Sequence, residues 1–235
     1  MKFPNKPLLV AAITGLLSVA CPDSLYAQEY KYETGLAAGV SSYMGDANKS
    51  RFLYNPGLAG GVVFRYNLTF HWALKVNLLA GRVYGDTRES GNRFPAAGQT
   101  VFKRTFAEAG SQIEWNFLPY SDNYRYLGTR SYTPYLLVGA GLTYAPSEQD
   151  YVGLHIPFGV GLKVKLKNRL NVAVECSIRK LFADDFDVTR TTQGWNLDQP
   201  YGIGSSHLKN QDWYSVTMIC LTWDFGLRDD PCHGN

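Results

Sequence analysis

Histidines and clustered carboxylates are the residues of this 235-residue chain whose types could support catalysis or metal binding. The four histidines are scattered, and no pair has the spacing of metal ligands on a helix: His71, His155, His207 and His233. His155 is the candidate general base, but a histidine bonded to its neighbours is the more ordinary outcome. Asp184, Asp185 and Asp187 form the main acidic cluster. They lack the regular spacing of a calcium loop, and we interpret them as part of a solvated loop.

The glycine-rich stretches do not indicate a nucleotide site. "VGAG" and "GVGL" follow strand spacing and precede no helix, whereas a phosphate-binding glycine loop opens one. The net charge of +3 is also too small to argue for nucleic acid. We therefore predict no metal, no cofactor, no small-molecule substrate and no enzymatic activity.

The cysteines give one candidate for a covalent partner contact. Cys176 and Cys220 fall within predicted strands. Cys176 is on the apolar face of its strand and Cys220 on the face opposite Leu221 and Trp223, so a disulfide between them across the wall would be geometrically awkward. Cys232 lies beyond the last strand in the polar tail "LRDDPCHGN". Without Cys21, which falls in a predicted leader, the cysteines are odd in number, which suggests an intermolecular bond or a free thiol. We predict that Cys232 forms the intermolecular disulfide.

The elements that must position these residues are extended strands. In "HIPFGVGLKVKLKNRLNVAVEC" (155–176), apolar side chains alternate with small or polar ones, which is the period of a strand with one apolar face. The same alternation recurs along the chain and predicts about eight strands, the segment 155–176 supplying two of them. The other six lie at 35–43, 57–68, 71–83, 104–117, 133–144 and 212–226.

The N-terminus predicts export. Lys2 and Lys6 precede the apolar run "PLLVAAITGLLSVAC", and "LYA" offers small residues for cleavage before Gln28. We predict a signal peptide over residues 1–27 and one domain over 28–235. A lipoprotein acylated at Cys21 is the alternative, although Ser18 stands where such sites usually have Leu. No later run suits a membrane helix of about 20 apolar residues, so a chain that spans a membrane would need a closed barrel.

Loop lengths and charges favour a membrane barrel over a soluble sandwich. Short turns at "NLTFH" and "KNR" alternate with long polar connections at 44–56, 84–100 and 183–210, with a moderate link at 118–131. Outer-membrane barrels have short turns on the periplasmic side and long loops outside. Seven charged residues share the non-apolar strand faces, where they could pair into a polar plug inside an eight-stranded barrel. They are Arg65, Lys75, Glu108, Glu114, Lys163, Glu175 and Arg179.

Aromatic residues near the predicted strand ends support the same interpretation, because membrane barrels carry aromatic girdles at both interfaces. They are Trp72, Trp115, Tyr144, Trp213, Trp223 and Phe225. We predict an all-β, eight-stranded antiparallel up-and-down transmembrane β-barrel, with both termini periplasmic. A soluble sandwich with solvated polar faces is the alternative.

An ordered set of stretches between about residues 33 and 225 resembles the PorG family of Bacteroidetes outer-membrane barrels. The set includes "SSYMGD", "NPGLAGGVVFRYNL", "WALKVNLLAGRVYGD", "IEWNFLPY", "YTPYLLVGAGLTY", "IPFGVGLKVKL" and "ECSIRKLF". One departure is "LFADDFDV", which keeps the acids of the corresponding family run and lacks its Tyr. The resemblance implies an accessory barrel of the type IX secretion system that contacts a periplasmic ring of the PorK lipoprotein and PorN. A small porin or channel and a barrel-embedded hydrolase are the alternative functions.

Overall fold

The computed structural model describes residues 30–44, 53, 55–88, 101–121, 128–147, 150–166, 169–182, 186 and 212–227. Eight strands make up nearly all of this part. They are β1 (Tyr30–Met44), β2 (Gly57–Asn67), β3 (Trp72–Asp86), β4 (Val101–Asn116), β5 (Tyr132–Ala145), β6 (Tyr151–Lys165), β7 (Leu170–Leu181) and β8 (Trp213–Leu227).

The strands form one closed antiparallel barrel in chain order. Each strand pairs with the next along the chain, and β1 closes the ring against β8 from Tyr30 opposite Leu227 to Met44 opposite Trp213. The predicted eight-stranded up-and-down barrel is confirmed. Each predicted strand is present, and most are a few residues longer than the alternation alone indicated.

Side chains along each strand alternate between a buried inner face and an exposed outer face. In β4, all even-numbered residues from Phe102 to Asn116 are buried and the odd-numbered residues are exposed. The exposed set is mainly apolar: Leu58 keeps 79% of its surface exposed, Leu36 67% and Val160 55%. An apolar exterior around a polar interior is the inverse of a soluble barrel and is the pattern of transmembrane β-barrels. A soluble sandwich is excluded by the single closed ring.

The two rims of the barrel differ in their connections. At one, which we call the short-turn rim, residues 68–71 join β2 to β3 tightly, and Leu68 N–H donates to Trp72 O over 3.0 Å. At the same rim Leu166 N–H donates to Leu170 O over 2.7 Å, between the end of β6 and the start of β7, and Arg169 has a φ of 65°. The link between β4 and β5 also lies there. The opposite, long-loop rim carries the β1–β2, β3–β4, β5–β6 and β7–β8 connections. Because the strand number is even, Tyr30 and Leu227 meet at the short-turn rim.

Residues 1–29 lie outside the described residues, so the predicted signal peptide has no structural counterpart to compare. The described part of the chain holds no helix long and apolar enough to cross a membrane.

Candidate functional site

A buried carboxylate, Glu114, is the centre of the barrel's polar interior. It projects inward from β4, where Arg65 Nε lies 3.1 Å and Lys75 Nζ 3.5 Å from its carboxylate oxygens, and Lys163 Nζ also donates to it. These cations come from β2, β3 and β6. All four side chains are at most 2% exposed, so three strands are tied through one carboxylate.

Two further carboxylates extend this cluster around the wall. Arg65 Nη1 donates to Glu33 of β1 over 3.1 Å, and Lys75 Nζ donates to Glu175 of β7 over 2.5 Å. The Tyr135 hydroxyl also donates to Glu175 over 2.9 Å. Gly161 makes room for that ring, since a Cβ there would lie 2.4 Å from Tyr135 Cζ. We call Glu33, Arg65, Lys75, Glu114, Tyr135, Lys163 and Glu175 the lower cluster.

A second cluster lies nearer the long-loop rim, around Glu108. Arg179 Nη2 and Nε donate to the two Glu108 oxygens over 3.0 and 3.2 Å, and the Tyr214 hydroxyl donates to Glu108 Oε2 over 2.5 Å. The Thr143 hydroxyl lies 2.9 Å from the Tyr214 hydroxyl and 2.8 Å from His155 Nδ1. Strands β4, β5, β6, β7 and β8 are thereby connected by one set of hydrogen bonds.

An aromatic cap covers the interior at the long-loop rim, around Phe186 of the β7–β8 connection. Its ring is fully buried, stacks on Tyr214 at 5.5 Å between centroids and meets Tyr151 edge-on at 5.3 Å. Arg104 holds it from below: Nη1 donates to Phe186 O over 2.8 Å and Nη2 donates to Ala145 O over 2.8 Å. The guanidinium also lies 5.7 Å from the Phe186 ring centre.

The interior at the short-turn rim is covered by Tyr120 of the β4–β5 link. Its backbone N–H donates to Phe70 O over 3.2 Å, and its buried ring lies 4.9 Å from Lys165 Nζ. Lys165 Nζ also donates to Asp224 over 2.5 Å, and Asn171 Nδ2 donates to the other oxygen of Asp224 over 2.6 Å. This rim is closed by ionic and cation–π contacts.

Charges inside the barrel balance. The acidic side chains described there are Glu33, Glu108, Glu114, Glu175, Asp212 and Asp224, and the cationic ones are Arg65, Lys75, Arg104, Lys163, Lys165 and Arg179. Removal of one partner from a buried pair costs about 3–5 kcal/mol, because the other charge stays buried without compensation. The balance therefore makes a stable polar filling.

The seven charged residues predicted to face inward are all buried in the interior, and the salt bridges confirm the predicted pairing. Parity along each strand was sufficient to find them. Sequence reasoning missed Arg104, the first residue of the predicted strand 104–117, and Glu33, which lies just before the predicted strand 35–43; both have the same parity signal. It also missed Phe186 and Tyr120, which lie outside the strands and give no periodic signal.

His155 and the strand cysteines are arranged as predicted. The His155 ring packs on Gly141, where a Cβ would lie 2.7 Å from Nε2, and the residue is 1% exposed. Thr143, whose hydroxyl lies 2.8 Å from His155 Nδ1, is buried as well. Cys176 is on the outer side and half-buried, Cys220 is buried inside, and both are free.

Other sequence predictions fall outside the described residues. These are Cys232 and the acidic cluster of Asp184, Asp185 and Asp187. Within the described ranges, no three His, Cys, Asp or Glu side chains form a group that could hold a metal ion.

Aromatic side chains surround the outer wall near the short-turn rim. Trp72 and Trp115 face each other across β3 and β4 with centroids 6.4 Å apart, and Tyr32 stacks on Phe225 at 5.4 Å. Trp223 is exposed beside them. Toward the long-loop rim, Tyr144 is exposed and Trp213 half-buried. The predicted aromatic residues therefore lie in two groups at opposite ends of the strands, as interface girdles do.

A closed eight-stranded barrel with an apolar exterior and a charge-paired interior defines a small membrane-barrel protein. The chain belongs to the family described as "Domain of unknown function (DUF6089)", which matches residues 11–235. No curated protein matches the chain.

Solved outer-membrane barrels are similar to this chain. Neisserial surface protein A (NspA) is 12% identical with a TM-score of 0.42, over 85% of this chain and 99% of its own. The N-terminal β-barrel domain of Pseudomonas aeruginosa OprF is 12% identical with a TM-score of 0.39, over 84% and 99%. Ail, the attachment invasion locus protein of Yersinia pestis, in complex with the heparin analogue sucrose octasulfate, is 12% identical with a TM-score of 0.39, over 83% and 96%.

Proposed function

We propose that this protein is a non-enzymatic barrel of the bacterial outer membrane that serves as an anchoring and docking subunit. The observation that carries the proposal is the filled interior: charged side chains from seven of the eight strands pair inside the barrel, and Phe186 and Tyr120 cover the two mouths. An interior filled by side chains leaves the exterior and the rims as the surfaces that can act on other molecules.

The docking partner we propose is the periplasmic ring of PorK and PorN of the type IX secretion system. The support is the ordered resemblance of seven sequence stretches to the PorG family. In this arrangement the short-turn rim and both termini face the periplasm, because short turns mark that side in outer-membrane barrels. Arg130 and Arg169 are exposed on this rim, so they can contact a docked ring and can be mutated without disturbing the interior.

Co-purification from detergent-solubilised outer membranes tests the docking role. A tagged wild-type barrel should recover PorK and PorN, and the double variant Arg130→Glu, Arg169→Glu should recover much less. Arg88→Glu, a charge reversal at the exposed long-loop rim, is the matched control and should recover the ring normally. Recovery of no ring protein by the wild type would overturn the type IX assignment.

Surface labelling tests the orientation. Tags placed at 84–100 or 183–210 should react with a membrane-impermeant reagent on intact cells, and a tag in the 118–131 link should not. Labelling of the link alone would reverse the topology.

Planar-bilayer recordings separate the docking role from a channel. The purified barrel should give no stepwise conductance, because its interior is filled by paired side chains. Regular unitary steps from the folded wild-type protein would favour the porin alternative.

Cys232 supplies a covalent form of the same proposal. Cys232 comes five residues after Leu227 in the sequence, and β8 ends with Leu227 at the short-turn rim. A disulfide from Cys232 to a periplasmic partner, for which the family resemblance nominates PorK, would raise the effective concentration of the two proteins at one another. Non-reducing gels should show a high-mass, reductant-sensitive band that Cys232→Ser abolishes. An unchanged band pattern in Cys232→Ser would exclude this bond.

A further inference from the structure

Two exposed cations interrupt the apolar exterior on β3 and β4. Arg82 lies opposite Thr105 and Lys103 lies opposite Tyr84, so the cations are diagonal neighbours on adjacent strands. Such neighbours are within about 7–8 Å, close enough to share one ligand. Lys103 Nζ lies 5.5 Å from the Tyr84 ring centre. Asp86, the next outward residue of β3, is the diagonal neighbour of Lys103 on its other side, and its Oδ1 accepts the Arg88 N–H. Neither cation has an ion-pair partner in the described ranges.

Their height on the barrel corresponds to a membrane interface. Arg82 follows ten residues after Trp72, the girdle residue at the short-turn rim. At about 3.3 Å per residue and a strand tilt of about 40°, Arg82 lies about 25 Å above Trp72 along the barrel axis. That distance equals the height of the apolar band in outer-membrane barrels, about 25 Å. The two cations therefore lie where lipid headgroups begin.

Directly below the cations, the outer wall carries an apolar groove of about 600 Å³. Its floor is a row of directly paired small residues that crosses three strands, Gly60, Ala80 and Ala107. Larger side chains border the row: Val62 and Leu78 lie below it, and Tyr144, which pairs with Ala107, ends it on β5. A depression one side-chain row wide, within the apolar belt, fits a single acyl chain.

We propose that the Arg82–Lys103 pair and this groove bind one phosphorylated glycolipid of the lipid A class. A phosphate lies against the two cations, and one acyl chain lies along the Gly60–Ala80–Ala107 row. Charge complementarity identifies the headgroup, because a phosphate accepts charge-assisted hydrogen bonds from both side chains. The inference rests on the outer-membrane placement in the proposed function, since lipid A fills the leaflet around the long-loop rim in that orientation.

Native mass spectrometry of the full-length barrel in detergent, incubated with diphosphoryl lipid A, tests the proposal. The wild type should retain one lipid A, and Arg82→Gln, Lys103→Gln should lose at least about tenfold of this adduct, because two charge-assisted contacts are removed. Lys180→Gln is the matched control. Lys180 is a cation near the same rim on β7, 5.4 Å from the Trp213 ring centre, and this substitution should leave the amount of lipid A adduct unchanged. Ala80→Leu fills the groove, keeps both cations and should also lose the adduct.

Three outcomes would overturn the proposal. An unchanged adduct in the Arg82, Lys103 double variant excludes these cations as the site. Equal retention of phosphatidylglycerol, with the same dependence on the cations, excludes lipid A as the selected class. A barrel dimer that Ala80→Leu abolishes would make a second copy the occupant of the groove. Heat-induced gel shifts confirm that each variant is folded. The measurement needs no ring protein, so failure to recover PorK and PorN would leave the lipid result independent.

Discussion

The inner and outer surfaces of the barrel wall are built from the same strands and contact opposite environments. On β2, Val63 is 2% exposed and packs inside the barrel, while its neighbour Val62 is 46% exposed on the outside. In the described part of the chain the inner surface holds twelve charged side chains, ten of which form ion pairs with one another, and the outer surface is apolar between its girdles. The difference shows that the charged inner side chains depend on specific partners, whereas outer side chains need only be apolar.

Loss of the central carboxylate should have the largest effect. Glu114→Gln leaves Arg65, Lys75 and Lys163 buried with less compensation, so we expect a loss of about 3–5 kcal/mol in the free energy of unfolding. Urea titration of the barrel in lipid vesicles measures it. Asp150→Asn, which removes an exposed carboxylate, should cost less than about 1 kcal/mol. The double variant Glu114→Gln, Lys163→Met should recover part of the loss. A double variant worse than the sum of the single changes would contradict the network.

A charge placed on the outer surface should have the next largest effect. Val160 is 55% exposed near the middle of β6, between Leu136 and Cys176. Val160→Arg should hinder folding into lipid by about 2–4 kcal/mol, the cost of a cation at the bilayer midplane. Refolding yield in vesicles measures it, with Val160→Leu as the control. Normal folding of Val160→Arg, with failure of Lys163→Leu, would invert the assignment of the two faces.

The fold was predictable because a two-residue period needs no knowledge of distant contacts. Alternation located all eight strands, and parity alone placed Arg65 and Glu175 inside. The partners inside were not predictable. Lys75 and Glu175 are 100 residues apart in sequence, and their contact depends on where the barrel closes. Phe186 and Tyr120 fill the mouths from connections whose sequence has no period, so only the structure identifies them.

The contacts at the long-loop mouth should give a smaller effect than the lower cluster. Arg104→Lys keeps the charge but loses the forked guanidinium that donates to both Phe186 O and Ala145 O. We therefore expect a loss of about 1–3 kcal/mol in the free energy of unfolding. The control is Arg82→Lys, the same exchange on the outer face of the neighbouring strand, which should be close to neutral. Urea titration compares them. Equal costs for the two variants would show that the cap at Arg104 adds no specific stability.

The smallest expected effect comes from a pair of substitutions that change packing and leave every charge in place. Val63→Ala and Val62→Ala remove the same two methyl groups from adjacent positions of one strand, and each loses roughly 1.5 kcal/mol of burial. Inside, the neighbours are fixed in a packed interior and leave a cavity, which adds about 1 kcal/mol. Outside, fluid acyl chains fill the space, so no cavity term arises. Unfolding free energies in vesicles should therefore differ by about 1 kcal/mol, with Val63→Ala the less stable. Equal values would mean that the interior relaxes as freely as lipid, and the contrast between the two surfaces would then rest on charge alone.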